Sequence, residues 1–224
     1  MTIPMLARKI EEDRMTVELR LLNVRVTLTL NKNLCVGCGI CATACPKEAI
    51  ERGPVGASKR GLTKLPPVII NEQKCSLCGL CDILCPFGAL ELKINGEHKL
   101  ILKEQKAVPE LKYEEVECPK YGIKAKKYFE GEIKINIDKC PGGCSTCADV
   151  CPTEAITIPK PSKGWEKVPK VNVDKDKCIF CGTCVFACPA EGAIELKRTK
   201  VLWEGEHTEF WNEIVEKLLK PITS

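Results

Sequence analysis

Cysteine is the residue type through which this sequence can do chemistry. The chain has 224 residues, of which 17 are cysteine and only two are histidine. Three runs share the spacing C-x2-C-x2-C-x3-C-P, and they are Cys35, Cys38, Cys41, Cys45, then Cys75, Cys78, Cys81, Cys85, and finally Cys178, Cys181, Cys184, Cys188. A further run has one extra residue in its first gap, and it consists of Cys140, Cys144, Cys147, Cys151. Thiols in such runs can form disulfides, bind metal or act as nucleophiles.

The N-terminal sequence argues against a disulfide framework. Disulfide-rich domains belong to secreted chains, but the residues after Met1 have neither the uninterrupted apolar core nor the small-residue cleavage site of a signal peptide. No stretch approaches the roughly 18 apolar residues that a membrane span needs. We therefore predict a cytoplasmic protein without a membrane span, in which patterned cysteine indicates metal binding.

Zinc and radical chemistry are the alternatives to an iron–sulfur protein. Two C-x2-C pairs usually suggest structural zinc, but four complete runs that each end in Cys-Pro are far more typical of iron–sulfur clusters. Cys140 to Cys147 has the C-x3-C-x2-C spacing of radical-SAM enzymes. Because the run continues to Cys151-Pro152 and the chain is short for the barrel of those enzymes, we interpret the extra residue as a loop insertion at Gly142 and Gly143.

The runs resemble those of the bacterial two-cluster ferredoxins, in which the fourth cysteine of one run ligates the other cluster. This resemblance implies four [4Fe–4S] clusters, with ligands exchanged between neighbouring runs. The first site would consist of Cys35, Cys38, Cys41 and Cys85, and the second site of Cys75, Cys78, Cys81 and Cys45. The third site would consist of Cys140, Cys144, Cys147 and Cys188, and the fourth site of Cys178, Cys181, Cys184 and Cys151. Cys118 lies outside the runs and is interpreted as a spare buried thiol; the alternative is a substitute ligand at the third site.

The gaps between runs predict the domain organisation. The gap between the first and second runs is similar to that between the third and fourth, and both are shorter than the gap in the middle. We predict an α+β fold with two tandem two-cluster ferredoxin-like domains, at residues 23–98 and 131–200. Residues 1–22 are then an N-terminal extension, residues 99–130 a linker, and residues 201–224 a C-terminal tail.

Short strands and helices must position the runs. Alternating apolar residues predict a strand before each run, at Val24–Leu30, Val68–Ile70, Ile133–Ile137 and Val171–Val173. Closing strands are predicted at Ala89–Ile94 and Ala193–Lys197, and a helical turn between the third and fourth cysteine of each run. Apolar spacing over Thr208–Leu219 predicts an amphipathic helix, which packs either on its own domain or on a partner.

The sequence predicts an electron carrier without catalytic residues of its own. We find no dinucleotide-binding, Walker A or zinc-protease motif. All-cysteine [4Fe–4S] clusters carry single electrons, so we expect the iron–sulfur subunit of an oxidoreductase complex, with a catalytic subunit or a soluble ferredoxin as partner. A freestanding polyferredoxin is the alternative. Interleaved lysine and glutamate with few aromatic residues argue against binding nucleic acid.

A narrower resemblance concerns the segment from Cys140 to Cys147 and the tryptophan-containing tail. Both look like the polyferredoxin subunits of formylmethanofuran dehydrogenases from methanogenic archaea. That family implies electrons passing between a ferredoxin pool and a tungsten or molybdenum catalytic subunit.

Iron–sulfur subunits of other molybdenum or tungsten oxidoreductases and of hydrogenases also carry four runs, in which the first run pairs with the fourth. This nested ligation is an alternative here, although the shorter gaps favour neighbouring runs. Ser145 and Thr146 near the third site predict a different potential there.

Overall fold

The computed structural model describes residues 5–140, 143–159 and 171–223. Within these ranges the chain has an α+β fold of short helices and antiparallel strands, as the sequence predicts. Gly142, at the predicted loop insertion, lies outside the described residues. Among the described residues, no helix is both long and apolar enough to cross a membrane.

The first ferredoxin unit is built on a five-stranded antiparallel sheet in the order β1-β2-β3-β6-β7. The strands are β1 (Met5–Ile10), β2 (Arg14–Arg20), β3 (Arg25–Asn31), β6 (Leu90–Ile94) and β7 (Glu97–His98). A separate pair joins β4 (Ile50–Arg52) to β5 (Val68–Ile70). The helices are α1 (Ile40–Ala44), α2 (Val55–Lys59) and α3 (Leu80–Ile83).

The N-terminal residues extend the sheet of the first unit. β2 pairs with β3 over seven residues, from Arg14 opposite Asn31 to Arg20 opposite Arg25. Side chains alternate across a strand, so Met15 and Val17 share the inward face of β2, and both are fully buried. Strands β1 and β2 are thus continuous with the sheet of the predicted ferredoxin domain.

Residues 99–130, between the two units, are folded and partly buried. They contain α4 (Ile101–Glu104), β8 (Glu110–Leu111) and a hairpin of β9 (Glu114–Cys118) and β10 (Ile123–Lys127). Tyr128 and Phe129 at their end are completely buried. The Tyr128 hydroxyl donates a hydrogen bond to the carbonyl oxygen of Leu84, which anchors this segment to the first unit.

The second unit is built on the order β11-β14-β16. These strands are β11 (Phe129–Ile135), β14 (Ile194–Val201) and β16 (Ile222–Thr223). A pair of short strands joins β12 (Ile156–Thr157) to β13 (Asn172–Val173). The helices are α5 (Thr146–Val150), α6 (Thr183–Ala187) and α7 (Glu209–Leu219), and β15 (Trp203–Glu204) pairs with β8.

The two units are packed against each other. Helix α2 contacts α5 and α6, and Val55 forms a small buried cluster with Val150 and Ala187. Helix α7 contacts β14 of its own unit and α1 of the first unit, and its residues Trp211 and Leu218 are fully buried. The apolar face of the predicted C-terminal helix is therefore covered by the chain itself.

The predicted strands overlap observed ones. The strands before the runs correspond to β3, β5, β11 and β13, and the closing strands to β6 and β14. The third cysteine of each run lies on α1, α3, α5 or α6, so the predicted helical turns are confirmed. These short elements position the cysteine runs at the centre of each unit.

Candidate iron–sulfur sites

A polar residue prepares the start of each cysteine run. Its side-chain oxygen accepts hydrogen bonds from the backbone N–H groups two and three positions later, and its carbonyl accepts from the first cysteine of the run. For Asn31, the side chain accepts from Asn33 N–H at 3.0 Å, and the carbonyl accepts from Cys35 N–H at 3.1 Å. Such turns are a known preference of Asn and Asp.

The same turn occurs four times. It is made by Asn31, Asn71, Asn136 and Asp174, each four positions before the first cysteine of a run. Sequence reasoning missed these residues. The signal was present as an Asn or Asp at a fixed distance from every run, including the irregular third one.

The same residues connect neighbouring runs. The Asn31 N–H donates to the carbonyl oxygen of Ala89, four positions after Cys85, at 2.7 Å. The Asn71 N–H donates to Ala49, four positions after Cys45, at 2.7 Å. The end of each run in the first unit is therefore hydrogen-bonded to the start of the other run.

The second unit repeats this exchange. The Asn136 N–H donates to the carbonyl of Ala193, which follows Cys188, at 2.9 Å. The Asp174 N–H donates to the carbonyl of Ala155, which follows Cys151, at 2.8 Å. The third and fourth runs are thus joined in the same crossed manner as the first and second.

A left-handed glycine turns the chain into the helix of three runs. Gly39 has φ 71° and Gly182 has φ 92°, a conformation that costs residues with a Cβ. A Cβ on Gly39 would also come within 2.7 Å of Cδ of Arg52. In the third run, Ser145 is the residue before the helix, and its φ of −103° is not left-handed. Of the described residues just before this helix, Gly143 has the left-handed conformation instead. The extra residue of this run therefore changes the local backbone before α5.

Backbone N–H groups point at the sulfur of the fourth cysteine in the first unit. The Ala49 N–H donates to Cys45 Sγ at 3.3 Å, and the Ala89 N–H donates to Cys85 Sγ at 3.2 Å. Hydrogen bonds to a ligand sulfur are among the factors that set cluster potentials. The fourth cysteines of the two runs in the first unit therefore share the same backbone environment.

The cysteines of the first unit influence one another in two groups. Burial, with a contribution from the charge of Cys85, raises the pKa of Cys35 to about 11. Burial also raises the pKa of Cys75, and the charges of Cys45 and Cys78 act in the same direction. In each group the fourth cysteine of one run lies near the first cysteine of the other.

The second unit shows the same arrangement. Burial, together with neighbouring charges that include Cys188, raises the pKa of Cys147 to about 11. Burial, together with the charges of Cys181 and Cys151, raises the pKa of Cys178 to about 12. The structure therefore brings together the cysteines that the ferredoxin resemblance assigns to each of the four sites.

The donor set fits a cluster better than a single metal ion. All 17 cysteines are free thiols. Among the described residues, no three or more His, Cys, Asp or Glu side chains come close enough to share one ion. Ligands of one zinc ion would place sulfurs about 3.8 Å apart, given Zn–S bonds of about 2.3 Å. A [4Fe–4S] core binds each thiolate at a different iron and so needs the wider spacing.

The first and fourth sites are adjacent across the contact between the units. Burial raises the pKa of Cys38 well above its usual value, and the charge of Cys181 is the largest of the charges that raise it further. Burial likewise raises the pKa of Cys184, and Cys147 of the third site is among the charges that act on it. The charge of Cys81, in the second site, acts on Cys41, in the first. The sites therefore follow one another in the order second, first, fourth, third.

Cys118 is fully buried beside the fourth site. Its thiol lies 3.8 Å from the carbonyl oxygen of Val116. Burial, together with the charges of Cys181 and Cys151, raises the pKa of Cys118 to about 11. Cys151 is the last cysteine of the third run, but the ferredoxin resemblance assigns both Cys151 and Cys181 to the fourth site. Cys118 therefore lies beside the predicted fourth site rather than the third.

Comparison with known proteins supports the assignment of these sites to a family. A sequence profile described as a 4Fe–4S dicluster domain matches residues 34–89 and again residues 139–192. A second profile with the same description matches residues 67–152. A ferredoxin from Methanothermococcus thermolithotrophicus is 38% identical over 66 residues, which are 29% of this chain and 97% of that ferredoxin.

The chain belongs to the family of 4Fe–4S dicluster ferredoxins. As a member it contains two dicluster domains in tandem, which hold four [4Fe–4S] clusters and transfer electrons. The match of one profile to residues 67–152 shows that the two middle runs are also similar to a dicluster pair.

Longer polyferredoxins and a solved complex extend the comparison. The polyferredoxin protein FwdF of Methanocaldococcus jannaschii is 59% identical over 34 residues, which are 15% of this chain and 10% of that protein. This dicluster ferredoxin spans only 8% to 22% of the length of several other curated relatives. One chain of the formate dehydrogenase–heterodisulfide reductase–formylmethanofuran dehydrogenase complex of Methanospirillum hungatei superposes with a TM-score of 0.86 and 33% identity, covering 100% of this chain and 94% of that one.

Proposed function

We propose that this chain is the electron-transfer subunit of a larger anaerobic oxidoreductase complex in the cytoplasm. The observation that carries the proposal is the match over the whole chain to a subunit of a multi-enzyme redox complex. The similarity includes the elements outside the cysteine runs, such as the N-terminal strands and α7, because the superposition covers all of this chain. A small carrier ferredoxin does not need these additions.

The four sites are proposed to be ligated by neighbouring runs. The first and second sites exchange Cys45 and Cys85, and the third and fourth exchange Cys151 and Cys188. The hydrogen bond from Asn31 to Ala89 and its three counterparts support this pairing, because they place the end of each run at the start of its neighbour. Nested ligation would instead require Cys188 beside the first run, whereas the charge of Cys188 acts on Cys147.

When bound, a [4Fe–4S] cluster accepts and releases one electron at a time. The protein controls access of water to each site through burial. Three cysteines of the first site come from the same run, and each is less than 10% exposed: Cys35, Cys38 and Cys41. Those of the fourth site, Cys178, Cys181 and Cys184, are equally buried. Insulation by the protein is thus strongest at the two middle sites.

The two outer sites lie closer to the surface. Partly exposed cysteines are confined to the second and third sites, and they are Cys45, Cys75, Cys78, Cys140, Cys144, Cys147 and Cys188. Together with the order of the sites, this exposure supports a path with one surface-near end in each unit. We propose that a soluble ferredoxin docks near one end and the catalytic subunit near the other.

A formylmethanofuran dehydrogenase is the proposed catalytic partner. Support comes from the formylmethanofuran dehydrogenase in the matched complex and from the similarity to the polyferredoxin FwdF over 34 residues. The competing function is that of a freestanding polyferredoxin, which the near-complete match to a small ferredoxin favours.

Anaerobic purification of the chain from its native host distinguishes these functions. A complex subunit should co-purify in constant ratio with a molybdenum- or tungsten-containing subunit, identified by mass spectrometry and metal analysis. An unrelated ferredoxin of the same host, purified in the same way, serves as the control for non-specific capture. Recovery of the chain alone, with its iron intact, would favour the freestanding carrier.

A further inference from the structure

A buried arginine lies beside the contact between the two units. Arg198 is on β14 and only 1% of it is exposed. Its guanidinium donates hydrogen bonds to the carbonyl oxygens of Phe180 at 2.9 Å, Cys181 at 2.8 Å and Leu218 at 3.3 Å. The guanidinium carbon also lies 4.5 Å from the centre of the Phe129 ring. The side chain is therefore fixed by groups from β11, α7 and the loop of the fourth run.

The backbone opposite makes room for this arginine. Gly131 of β11 is paired with Arg198, directly after a shift in the strand register. A Cβ at Gly131 would come within 2.6 Å of the Lys197 carbonyl oxygen and 3.2 Å of the Arg198 Cα. A residue with a side chain would therefore push this segment of β14 out of place.

Among the described residues, no carboxylate oxygen lies within 4.0 Å of the Arg198 guanidinium. The ion pairs that these residues form involve other side chains. Burying a charge without a counterion is costly. Burial lowers the pKa of Arg198, but a guanidinium starts so high that it stays protonated. The chain therefore maintains a fixed buried cation whose counter-charge must come from another kind of group.

Cysteine ligands lie near enough to supply that counter-charge. The guanidinium is hydrogen-bonded to the carbonyl oxygen of Cys181, a proposed ligand of the fourth site. It is also hydrogen-bonded to Leu218 of α7, and α7 contacts α1, the helix that contains Cys41 of the proposed first site. Bound thiolates are deprotonated, which gives both sites negative charge near this cation.

We propose that Arg198 is an electrostatic bridge between the two ferredoxin units, and that its buried positive charge raises the reduction potentials of the first and fourth sites. The inference rests on the four cluster sites proposed above. A cation stabilises the added electron at a nearby site, and the low effective dielectric of the interior strengthens this effect. Both middle sites then accept electrons more readily, which favours passage between the units.

Redox titration of the complete, cluster-loaded chain, followed by electron paramagnetic resonance, tests this role. The neutral variants are Arg198→Gln and Arg198→Met, and Arg198→Lys keeps the charge. Lys200→Gln is the matched control, because Lys200 lies on the same strand with its side chain 64% exposed. Each variant is first analysed for iron, and the wild type must contain about sixteen irons per chain and four titrating centres. A wild type that fails this condition contradicts the proposed function rather than the role of Arg198.

In the neutral variants, two of the four centres should become harder to reduce. We expect the ratio of reduced to oxidised centre at a fixed potential to fall at least about tenfold, which is about 59 mV for a one-electron couple. Arg198→Lys and Lys200→Gln should leave these two potentials near the wild-type values. Unchanged potentials in a fully loaded neutral variant would overturn the proposal, as would equal shifts in all four centres.

Loss of folding has its own readout. If both neutral variants fail to load iron, Arg198→Lys decides the matter. Full loading of Arg198→Lys with wild-type middle potentials would support a requirement for the charge. Failure of Arg198→Lys as well would show that only the hydrogen-bond geometry of the guanidinium matters, and would overturn the proposal.

Discussion

The backbone N–H of Asn31 donates a hydrogen bond of 2.7 Å to the carbonyl oxygen of Ala89. This bond joins the start of the first cysteine run to the end of the second, 58 positions later in the chain. Its counterparts at the other three runs also bond to an alanine carbonyl four or five positions after the last cysteine of the neighbouring run. The backbone therefore joins the end of each run to the start of its neighbour, as the proposed exchange of ligands requires.

Exchanged ligation predicts which site each fourth cysteine serves. Cys85→Ser should damage the first site and leave the second intact, because Cys85 lies near Cys35 rather than near the start of its own run. The iron content should fall by about one to four atoms per chain, and the resonance of one centre should change. Cys118→Ser is the control and should retain full iron content. Loss of the second site, rather than the first, would contradict the pairing.

The polar residue before each run predicts a stability effect. Asn71→Ala removes the side-chain oxygen that accepts from Gln73 N–H at 2.9 Å. Side-chain caps and turns of this kind contribute about 1 kcal/mol to stability. The variant should therefore lose its clusters severalfold faster in denaturant, measured as the decay of visible absorbance. Asn33→Ala, at an exposed position of the corresponding turn in the first run, is the control. Equal rates for the two variants would show that the Asn71 turn does not support its run.

The anchor of the connecting segment gives a second stability prediction. Tyr128→Phe removes the hydroxyl that donates to Leu84 and leaves a buried carbonyl without this donor. The expected cost is about 1 to 3 kcal/mol, measured as a lower midpoint of anaerobic thermal unfolding. Tyr113→Phe makes the same chemical change at a side chain that is 46% exposed, and should have little effect. If the unfolding midpoint of Tyr128→Phe matched that of Tyr113→Phe, the hydrogen bond to Leu84 would not contribute to stability.

Hydroxyl groups predict different potentials in the second unit. Thr146 Oγ1 lies 3.3 Å from Cys144 Sγ, and Thr183 Oγ1 lies 3.4 Å from Cys181 Sγ. Hydrogen bonds to ligand sulfur raise cluster potentials, so Thr146→Val and Thr183→Val should each lower the potential of one centre. Ser145 is the comparison, because its hydroxyl donates to Asp149 Oδ2 at 2.7 Å and is already engaged there. If Ser145→Ala lowered a potential as much as Thr146→Val, the sulfur contacts would not be the cause.

Much of this arrangement could be predicted from the cysteine spacing alone. Four runs that end in Cys-Pro indicate the clusters, and apolar alternation places strands such as β3 and β5 beside them. The spacing does not reveal the contact between the units, because that contact depends on residues such as Val55, which packs on Val150 and Ala187 far along the sequence. Arg198 looks like any surface arginine of an alternating strand, and only its burial distinguishes it.

One chain with four cysteine sites holds four [4Fe–4S] clusters. The most direct test of this number is the iron and acid-labile sulfide content of the anaerobically purified full chain, with reductive titration of the same sample. We expect about sixteen atoms of each per chain and four one-electron centres. About four irons per chain, or stoichiometric zinc in place of iron, would contradict it.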